Sequence, residues 1–181
     1  YLYGANTSYH ASNDTYTFDS TKPFFESIWD AGGVDTLSAS NFSTDCTLDL
    51  TPGHYSSLHY ARPTNVPSTV VTYDGTNNLG IAYNCIIENA VGGSGNDTLI
   101  GNSASNLLDG GSGNDSLHGG QGNDTVLGGD GDDLIIGGKG TDELSGGVGN
   151  DVLDESSDTF VAAANGSLLT VTPLPGNNAM Y

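Results

Sequence analysis

The stretch that decides the fold is Gly92-Gly-Ser-Gly-Asn-Asp-Thr-Leu-Ile100, because its pattern returns every nine residues as far as Asp154. Seven consecutive nonads start at Gly92, Gly101, Gly110, Gly119, Gly128, Gly137 and Gly146. The sixth position holds Asp97, Asn106, Asp115, Asp124, Asp133, Asp142 and Asp151. The eighth holds Leu99, Leu108, Leu117, Val126, Ile135, Leu144 and Leu153. The consensus is G-G-x-G-x-D-x-(aliphatic)-x. Each nonad divides in two. Its first six residues are too polar and glycine-rich for regular structure, and glycines at positions one, two and four suit a tight loop. Its last three, such as Thr98-Leu-Ile100, form a very short strand whose central aliphatic points to one face.

One nonad cannot bury its own aliphatic residue, but stacked nonads bury a shared column. The arrangement predicted is all-β: a parallel β-roll, a form of β-solenoid, with two nonads per coil and alternate nonads stacked about 4.8 Å apart. Loops two nonads apart then share an edge. This pairs Asp97 with Asp115, Asp115 with Asp133, Asp133 with Asp151, Asn106 with Asp124, and Asp124 with Asp142. Carboxylates facing one another across glycine carbonyls match the all-oxygen shell of Ca²⁺, which takes about six to eight such ligands. The pattern resembles the calcium-binding nonapeptide repeat of RTX proteins. The second nonad departs from it at Asn102, Ala104 and Asn106, which predicts an altered site there.

Composition agrees with a metal-dependent chain. Three Lys and Arg oppose 22 Asp and Glu among 181 residues, a formal charge of −19 with 35% hydrophobic residues. Such a chain repels nucleic acid and anionic membrane, and without metal it is expected to be weakly folded. About five ions in the roll and about two upstream would bring roughly +14, so binding is part of the folding free energy. Cytosolic calcium is too low to fill weak sites, which predicts folding only after export to the extracellular medium. No long apolar run suggests a membrane span, and no secretory signal peptide is recognised at Tyr1.

The chain divides into irregular upstream coils over 1–91, the roll over 92–154 and a capping segment over 155–181. Short strands are predicted at Thr15–Phe18, Ser27–Trp29, Thr36-Leu37, Thr47–Leu50, Ile81–Tyr83 and Cys85–Val91. Asp30-Ala-Gly-Gly-Val-Asp35 reads as an abbreviated nonad. Residues 52–79, with Pro52, Pro63 and Pro67, read as a long surface loop. Cys46-Thr-Leu-Asp and Cys85-Ile-Ile-Glu share a context, which suggests equivalent positions on neighbouring strands. They are then either a disulfide, in keeping with an extracellular location, or two small buried residues.

Tyr1-Leu-Tyr-Gly-Ala-Asn6, Ile28-Trp-Asp-Ala-Gly-Gly-Val-Asp-Thr-Leu37 and Ile87-Glu-Asn-Ala-Val-Gly-Gly-Ser-Gly-Asn-Asp-Thr-Leu-Ile-Gly-Asn102 closely resemble the C-terminal domain of serralysin-type metallopeptidases, secreted bacterial zinc proteases. The likeness runs to about Phe160, with a longer loop near 54–78. It implies one calcium site at the Asp30, Gly32, Asp35 loop, completed by Ala11, Asn13 and Thr15. It implies a second at Gly33, Asp35, the Ile86 carbonyl and Glu88. In the roll it implies that Gly93, Gly95 and Asp97 face Gly110, Gly111, Ser112 and Asp115. One nonad on, Asn102, Ala104 and Asn106 face Gly119, Gly120, Gln121 and Asp124. Gly111, Gly113 and Asp115 then face Gly128, Gly129, Asp130 and Asp133. Gly120, Gly122 and Asp124 face Gly137, Lys139 and Asp142, and Gly129, Gly131 and Asp133 face Gly146, Val148 and Asp151. Read bottom-up, Asp30, Asp35 and Glu88 could be simple solvated acids, and their position beside glycines favours the ligand reading.

The family's catalysis needs H-E-x-x-H-x-x-G-x-x-H. His10, His54, His59 and His118 form no such motif, and no nucleophile motif is present, so the chain reads as non-catalytic by itself. Asp158-Thr-Phe160 resembles the residues that follow the family's roll, and Ser167–Thr172 with Pro173-Leu-Pro175 reads as a capping strand and turn. The family's acidic-hydrophobic closing segment is not evident, which leaves a type I export signal unassigned. The leading expectation is a calcium-folded accessory domain of a secreted protease, working with a catalytic domain in cis or with export machinery. The alternatives are a free-standing, self-associating structural or adhesive solenoid and, less favoured, a carbohydrate-binding module using the Tyr55–Tyr73 loop.

Overall fold

The computed structural model describes residues 10–60 and 74–154, together with the backbone of strands 159–162 and 170–171. The upstream strands are β1 (Thr15–Thr17), β2 (Glu26–Ile28), β3 (Thr36–Ser38), β4 (Cys46–Asp49), β5 (Tyr55–Leu58), β6 (Leu79–Ile81) and β7 (Asn89–Val91). The nonads supply β8 (Thr98–Ile100), β9 (Leu107–Ser112), β10 (Ser116–Gln121), β11 (Thr125–Asp130), β12 (Leu134–Lys139), β13 (Thr141–Val148) and β14 (Val152–Asp154). After them come β15 (Thr159–Ala162) and β16 (Thr170–Val171). Two sheets face each other. One runs β1-β3-β7-β9-β11-β13-β15 and the other β16-β14-β12-β10-β8-β4-β5-β6-β2. Within the nonads every pairing is parallel and offset by eighteen residues, as Leu99 with Leu117, Leu117 with Ile135 and Ile135 with Leu153. That is the two-nonad coil of a parallel β-solenoid.

The aliphatic columns run further than the nonads. Leu48 stacks on Leu99, while Leu37, Ala90, Leu108, Val126 and Leu144 follow one another on the opposite sheet. All of these side chains are buried. Burying one such residue contributes about 1.5–3 kcal/mol relative to exposure, and that contribution depends on the coil above and below being present.

Three expectations need correction. The strands are longer than the last three residues of a nonad. In β9 to β12 they continue through positions one, two and three of the next nonad. The inter-coil ladder carries on there, with Ser112 N–H donating to the Gly93 carbonyl at 3.0 Å and Gln121 N–H to that of Asn102 at 3.0 Å. Residues 52–79 are not all loop. β5 lies antiparallel between β4 and β6, with Ser56 and Leu58 turned inward, and β6 pairs in parallel with β2. Its period of two was hidden because one inward position is a serine; residues 61–73, with Pro63 and Pro67, lie outside the described part. The strand placed at Ile81–Tyr83 is Leu79–Ile81, and only the last three residues of Cys85–Val91 are strand. Of the tail expectations, β16 falls within Ser167–Thr172, while Asp158 and Pro173–Pro175 lie outside the described residues.

Candidate metal centre

Each position-six residue except Asp142, the second residue of β13, sits immediately before a strand, where the chain enters the sheet from a glycine loop. Stacking coils at a constant eighteen-residue offset therefore stacks these side chains on the solenoid's edges. On one edge the N–H of Asp97 donates to Asp115 Oδ1 at 2.6 Å, that of Asp115 to Asp133 Oδ1 at 2.8 Å, and that of Asp133 to Asp151 Oδ1 at 3.1 Å. On the other, Asn106 N–H donates to Asp124 Oδ1 and Asp124 N–H to Asp142 Oδ1, at 2.8 and 2.9 Å. All five pairs read from the sequence are brought together.

The second column extends upstream by the same bond. Asp14 N–H donates to Asp35 Oδ1 and Asp35 N–H to Glu88 Oε2, both at 2.8 Å. With Glu88 set beside Asn106 by the β7–β9 register and by Asn106 Nδ2 donating to the Glu88 carbonyl, the order along this edge is Asp14, Asp35, Glu88, Asn106, Asp124, Asp142.

Asp35, Asp97, Asp115, Asp124, Asp133, Asp142 and Asp151 are buried, and Asp35, Asp115, Asp124 and Asp133 each use only one carboxylate oxygen. Among the described residues, Oδ2 of Asp35, Asp115, Asp124 and Asp133 has no hydrogen-bond partner. Burial pushes the Asp115 carboxyl up to about 7, reinforced by the neighbouring Asp97 and Asp133 charges. Burial and then Asp142 push Asp124 up to about 6. Asp35, Asp97 and Asp133 are raised for the same first reason. A buried anionic oxygen without a donor is costly, so it must be protonated or meet a cation.

The glycines keep the space beside these oxygens open. A Cβ on Gly110 would lie 2.4 Å from Asp115 Oδ2 and 2.5 Å from the Gly128 carbonyl oxygen. Gly119 stands in the same relation to Asp124 Oδ2 and the Gly137 carbonyl, and Gly128 to Asp133 Oδ2 and the Gly146 carbonyl. Gly111 differs in kind, since its φ of +98° requires glycine and its absent side chain admits the Gly93 carbonyl. The idle carboxylate oxygen and the next coil's carbonyl oxygen are the two atoms nearest the space at Gly110, Gly119 and Gly128. That donor set fits a hard cation of the calcium type.

Not every predicted residue stands alike. Both oxygens of Asp97 are occupied, by Cys46 N–H at 2.7 Å and by Gly93 N–H at 2.6 Å. Asn106 Oδ1 accepts from Asn102 N–H, and its Nδ2 donates to the Glu88 carbonyl at 2.7 Å. Asn102 Nδ2 reaches the Leu50 and Ile87 carbonyls, and Ala104 N–H donates to Asn102 Oδ1. The carbonyls of Asp130, Lys139 and Val148 accept from Gly113, Gly122 and Gly131, leaving each one free lone pair.

Upstream, ligand oxygens of Asp14, Asp30 and Asp35 lie within 4.8 Å of one another, the one such trio among the described residues. Tyr16 Oη and Gly32 N–H donate to Asp30, and Asn13 Oδ1 accepts from Val34 N–H. Gly33 packs against the Ser12 carbonyl and Asp35. Thr15 opens β1 opposite Thr36, while Ala11 and Ile86 are exposed. Asp14 was missed by the sequence reading. Its signal was the Asp-Thr pair at 14–15, shared with 35–36, 97–98 and 124–125. A further ladder was also missed, at position five. Asn96, Asn114 and Asp132 Oδ1 accept from the N–H of Asn114, Asp132 and Asn150, each eighteen residues on.

Of the two readings left open for the cysteines, the structure has the second, with Cys46 and Cys85 as free buried thiols. Cys46 starts β4 and contacts Asp97, whereas Cys85 lies in the loop before β7 beside Asp30. Burial pushes the two thiols up to about 12 and about 11.

Comparison with known proteins agrees with this geometry. The family model of the RTX calcium-binding nonapeptide repeat matches residues 91–126 and 118–153. Serralysin C of Dickeya chrysanthemi is 40% identical over 111 residues, and serralysin of Proteus mirabilis 36% over the same length. Serralysin of Photorhabdus sp. (strain Az29) is also 36% identical. Each alignment covers 55% of this chain and 20% of the relative, so the chain spans about one fifth of the length of the relatives it matches. Residues 91–153 carry RTX calcium-binding repeats on a parallel β-solenoid, and the chain is similar over 111 residues to part of the serralysins.

Proposed function

We propose that this chain is the calcium-folded, non-catalytic domain of a secreted serralysin-like metalloprotease, ordering after export and supporting the stability of the protein that carries it. The observation that carries the reading is the unpartnered buried Oδ2 of Asp115, Asp124 and Asp133, each opposite a glycine carbonyl of the next coil. In the roll the cation would be held by carbonyls at positions two and four and the Asp of one loop, with carbonyls and the Asp of the loop eighteen residues on. Gly93, Gly95 and Asp97 with Gly110, Gly111, Ser112 and Asp115 are the first such set. Upstream, Asp30, Gly32 and Asp35 with Ala11, Asn13 and Thr15 would hold another, and Gly33, Asp35, Ile86 and Glu88 a third. Bound calcium supplies positive charge to oxygens that otherwise bear a desolvation penalty. The relatives' name supports a protease catalytic domain as the partner in cis, and an extracellular setting supplies the calcium.

A calcium titration followed by circular dichroism and size-exclusion light scattering tests this. Cooperative gain of β-structure as a monomer is expected. Growth into large calcium-dependent assemblies would favour the self-associating structural solenoid instead, and an unchanged spectrum would remove the calcium reading altogether.

A further inference from the structure

We propose that Asp14 completes a three-carboxylate cation site with Asp30 and Asp35, and that this upstream site fills before the loops of the roll. The proposal rests on the calcium reading above and adds a residue and an order to it.

Three observations carry it. Asp14, Asp30 and Asp35 bring ligand oxygens within 4.8 Å of one another, whereas each roll site joins two carboxylates. Asp35 is fully buried and its Oδ2 has no partner among the described residues, so the cluster contains an oxygen that no described residue satisfies. Asp14 is also fixed in place, with its Oδ1 accepting from Ser12 Oγ at 3.3 Å. Its N–H donates to Asp35 Oδ1, its carbonyl accepts from Thr36 N–H, and its Oδ2 lies 3.0 Å from His10 Nδ1.

The order follows from charge and from packing. Calcium affinity rises with the number of ligand charges and with the rigidity of the site. Rigidity comes from the core beneath. Of the twenty buried hydrophobic residues described, thirteen precede the first nonad, including Phe42, and seven lie in the nonads at one per repeat. The upstream coils also brace themselves without carboxylates. Asn78 donates to and accepts from the Leu58 backbone, and β5 ties β4 to β6. The upstream site is therefore pre-formed to a degree that the roll loops are not, and its closure offers β7 as a template for β9.

Terbium(III), which takes calcium's oxygen ligands and emits when a nearby aromatic ring is excited, separates the sites. Residues 92–154 contain no Tyr, Trp or Phe, while Tyr16 donates to Asp30 and Trp29 precedes it in the chain. In the whole chain, tyrosine-sensitised emission is expected to saturate at lower terbium than the β-structure signal of circular dichroism. Asp14→Asn should raise the emission midpoint about tenfold, and Asp133→Asn should leave it within about twofold. Hydrogen exchange at graded calcium gives a readout on the unaltered protein. Peptides from 10–38 should become protected at lower calcium than peptides from 98–148. Simultaneous protection, earlier protection of the roll, or an unshifted midpoint in Asp14→Asn would overturn the proposal while leaving calcium binding intact. A chain whose emission, dichroism and exchange all ignore the metal would overturn both.

Discussion

Replacing Gly110 by Ala tests whether the space beside the column carboxylates is functional. The backbone at Gly110 is outside the left-handed region, so alanine brings no conformational strain there. What it brings is a methyl group 2.4 Å from Asp115 Oδ2 and 2.5 Å from the Gly128 carbonyl. Carbon and oxygen normally stay about 3.3–3.6 Å apart, so one neighbour must move by roughly 1 Å. Overpacking of this kind costs about 1–3 kcal/mol, and the reduced freedom of the unfolded chain returns about 0.4–1 kcal/mol. The net loss is about 1–2 kcal/mol. If folding takes up about five ions in the roll, each tenfold change in free calcium is worth about 7 kcal/mol to the folded state. The calcium midpoint in a circular dichroism titration should then rise by up to about twofold. Gly111→Ala should do more, because it adds the strain of a φ of +98° to a collision with the Gly93 carbonyl. If Gly110→Ala folds at the wild-type calcium midpoint, the idle oxygen and the carbonyl do not share a cation, and the reasoning is refuted.

Acidity should substitute for the metal in part. Asp115 and Asp124 sit at about 7 and about 6 in the fold, chiefly through burial, against about 3.9 for the unfolded chain. The folded, metal-free roll therefore binds more protons. That contribution to stability is complete below about pH 4 and is lost as pH rises through about 6 to 7. Metal-depleted protein should show more β-structure at about pH 5 than at about pH 8, while calcium, which must displace those protons, should act at lower concentration at the higher pH. An ellipticity that falls on acidification would contradict this. Asn114→Ala should remove the cap on Asp132 N–H and cost about 1 kcal/mol whether or not calcium is present, read as an equal shift in urea midpoint under both conditions.

The repeat made most of the solenoid legible, because one period fixes both the aliphatic column and the acid column. Leu99, Leu117, Ile135 and Leu153 could be stacked on paper, and so could Asp115 on Asp97. Irregular coils lack that help. β5 went unread because Ser56 holds an inward position that a hydrophobic pattern needs, and β6 was misplaced because Gly80 interrupts its run. Asp14 was passed over because the nonad around it is not recognisable; only the register of Thr15 with Thr36 on the paired strand, which sets Asp14 beside Asp35, shows that it heads the column. The matching contexts of Cys46 and Cys85 misled for a related reason. Local similarity over four residues does not fix where the coil places them, and a thiol serves as a small buried residue in both. The position-five ladder was invisible because Asn and Asp are ordinary loop residues, and only their stacking gives each oxygen a donor.

The column also indicates why Asp and Asn are not equivalent in it. The bond from the preceding coil's N–H to Oδ1 needs an acceptor, whereas Asn106 gives its Oδ1 to Asn102 N–H of its own loop; the second atom decides what else is required. In Asp it is an oxygen lacking a donor, and in Asn it is an NH₂ that needs an acceptor. Asn106 has the Glu88 carbonyl at 2.7 Å, so its second atom is satisfied from within the protein. At Asp115 the corresponding space is bordered by the Gly128 carbonyl. Asp115→Asn should therefore remove a buried charge and supply a donor where an oxygen waits. Metal-free Asp115→Asn is expected to be more ordered than metal-free wild type and to gain less on calcium addition. Asp115→Ala, which removes Oδ1 as well, leaves Asp97 N–H without its acceptor and should be less ordered than Asp115→Asn in both conditions, by about 1–3 kcal/mol. Denaturant midpoints of the three proteins, with and without calcium, give the ranking. A metal-free Asp115→Asn no more stable than its Ala counterpart would mean that the column is held by aliphatic packing alone, with the carboxylates only tolerated.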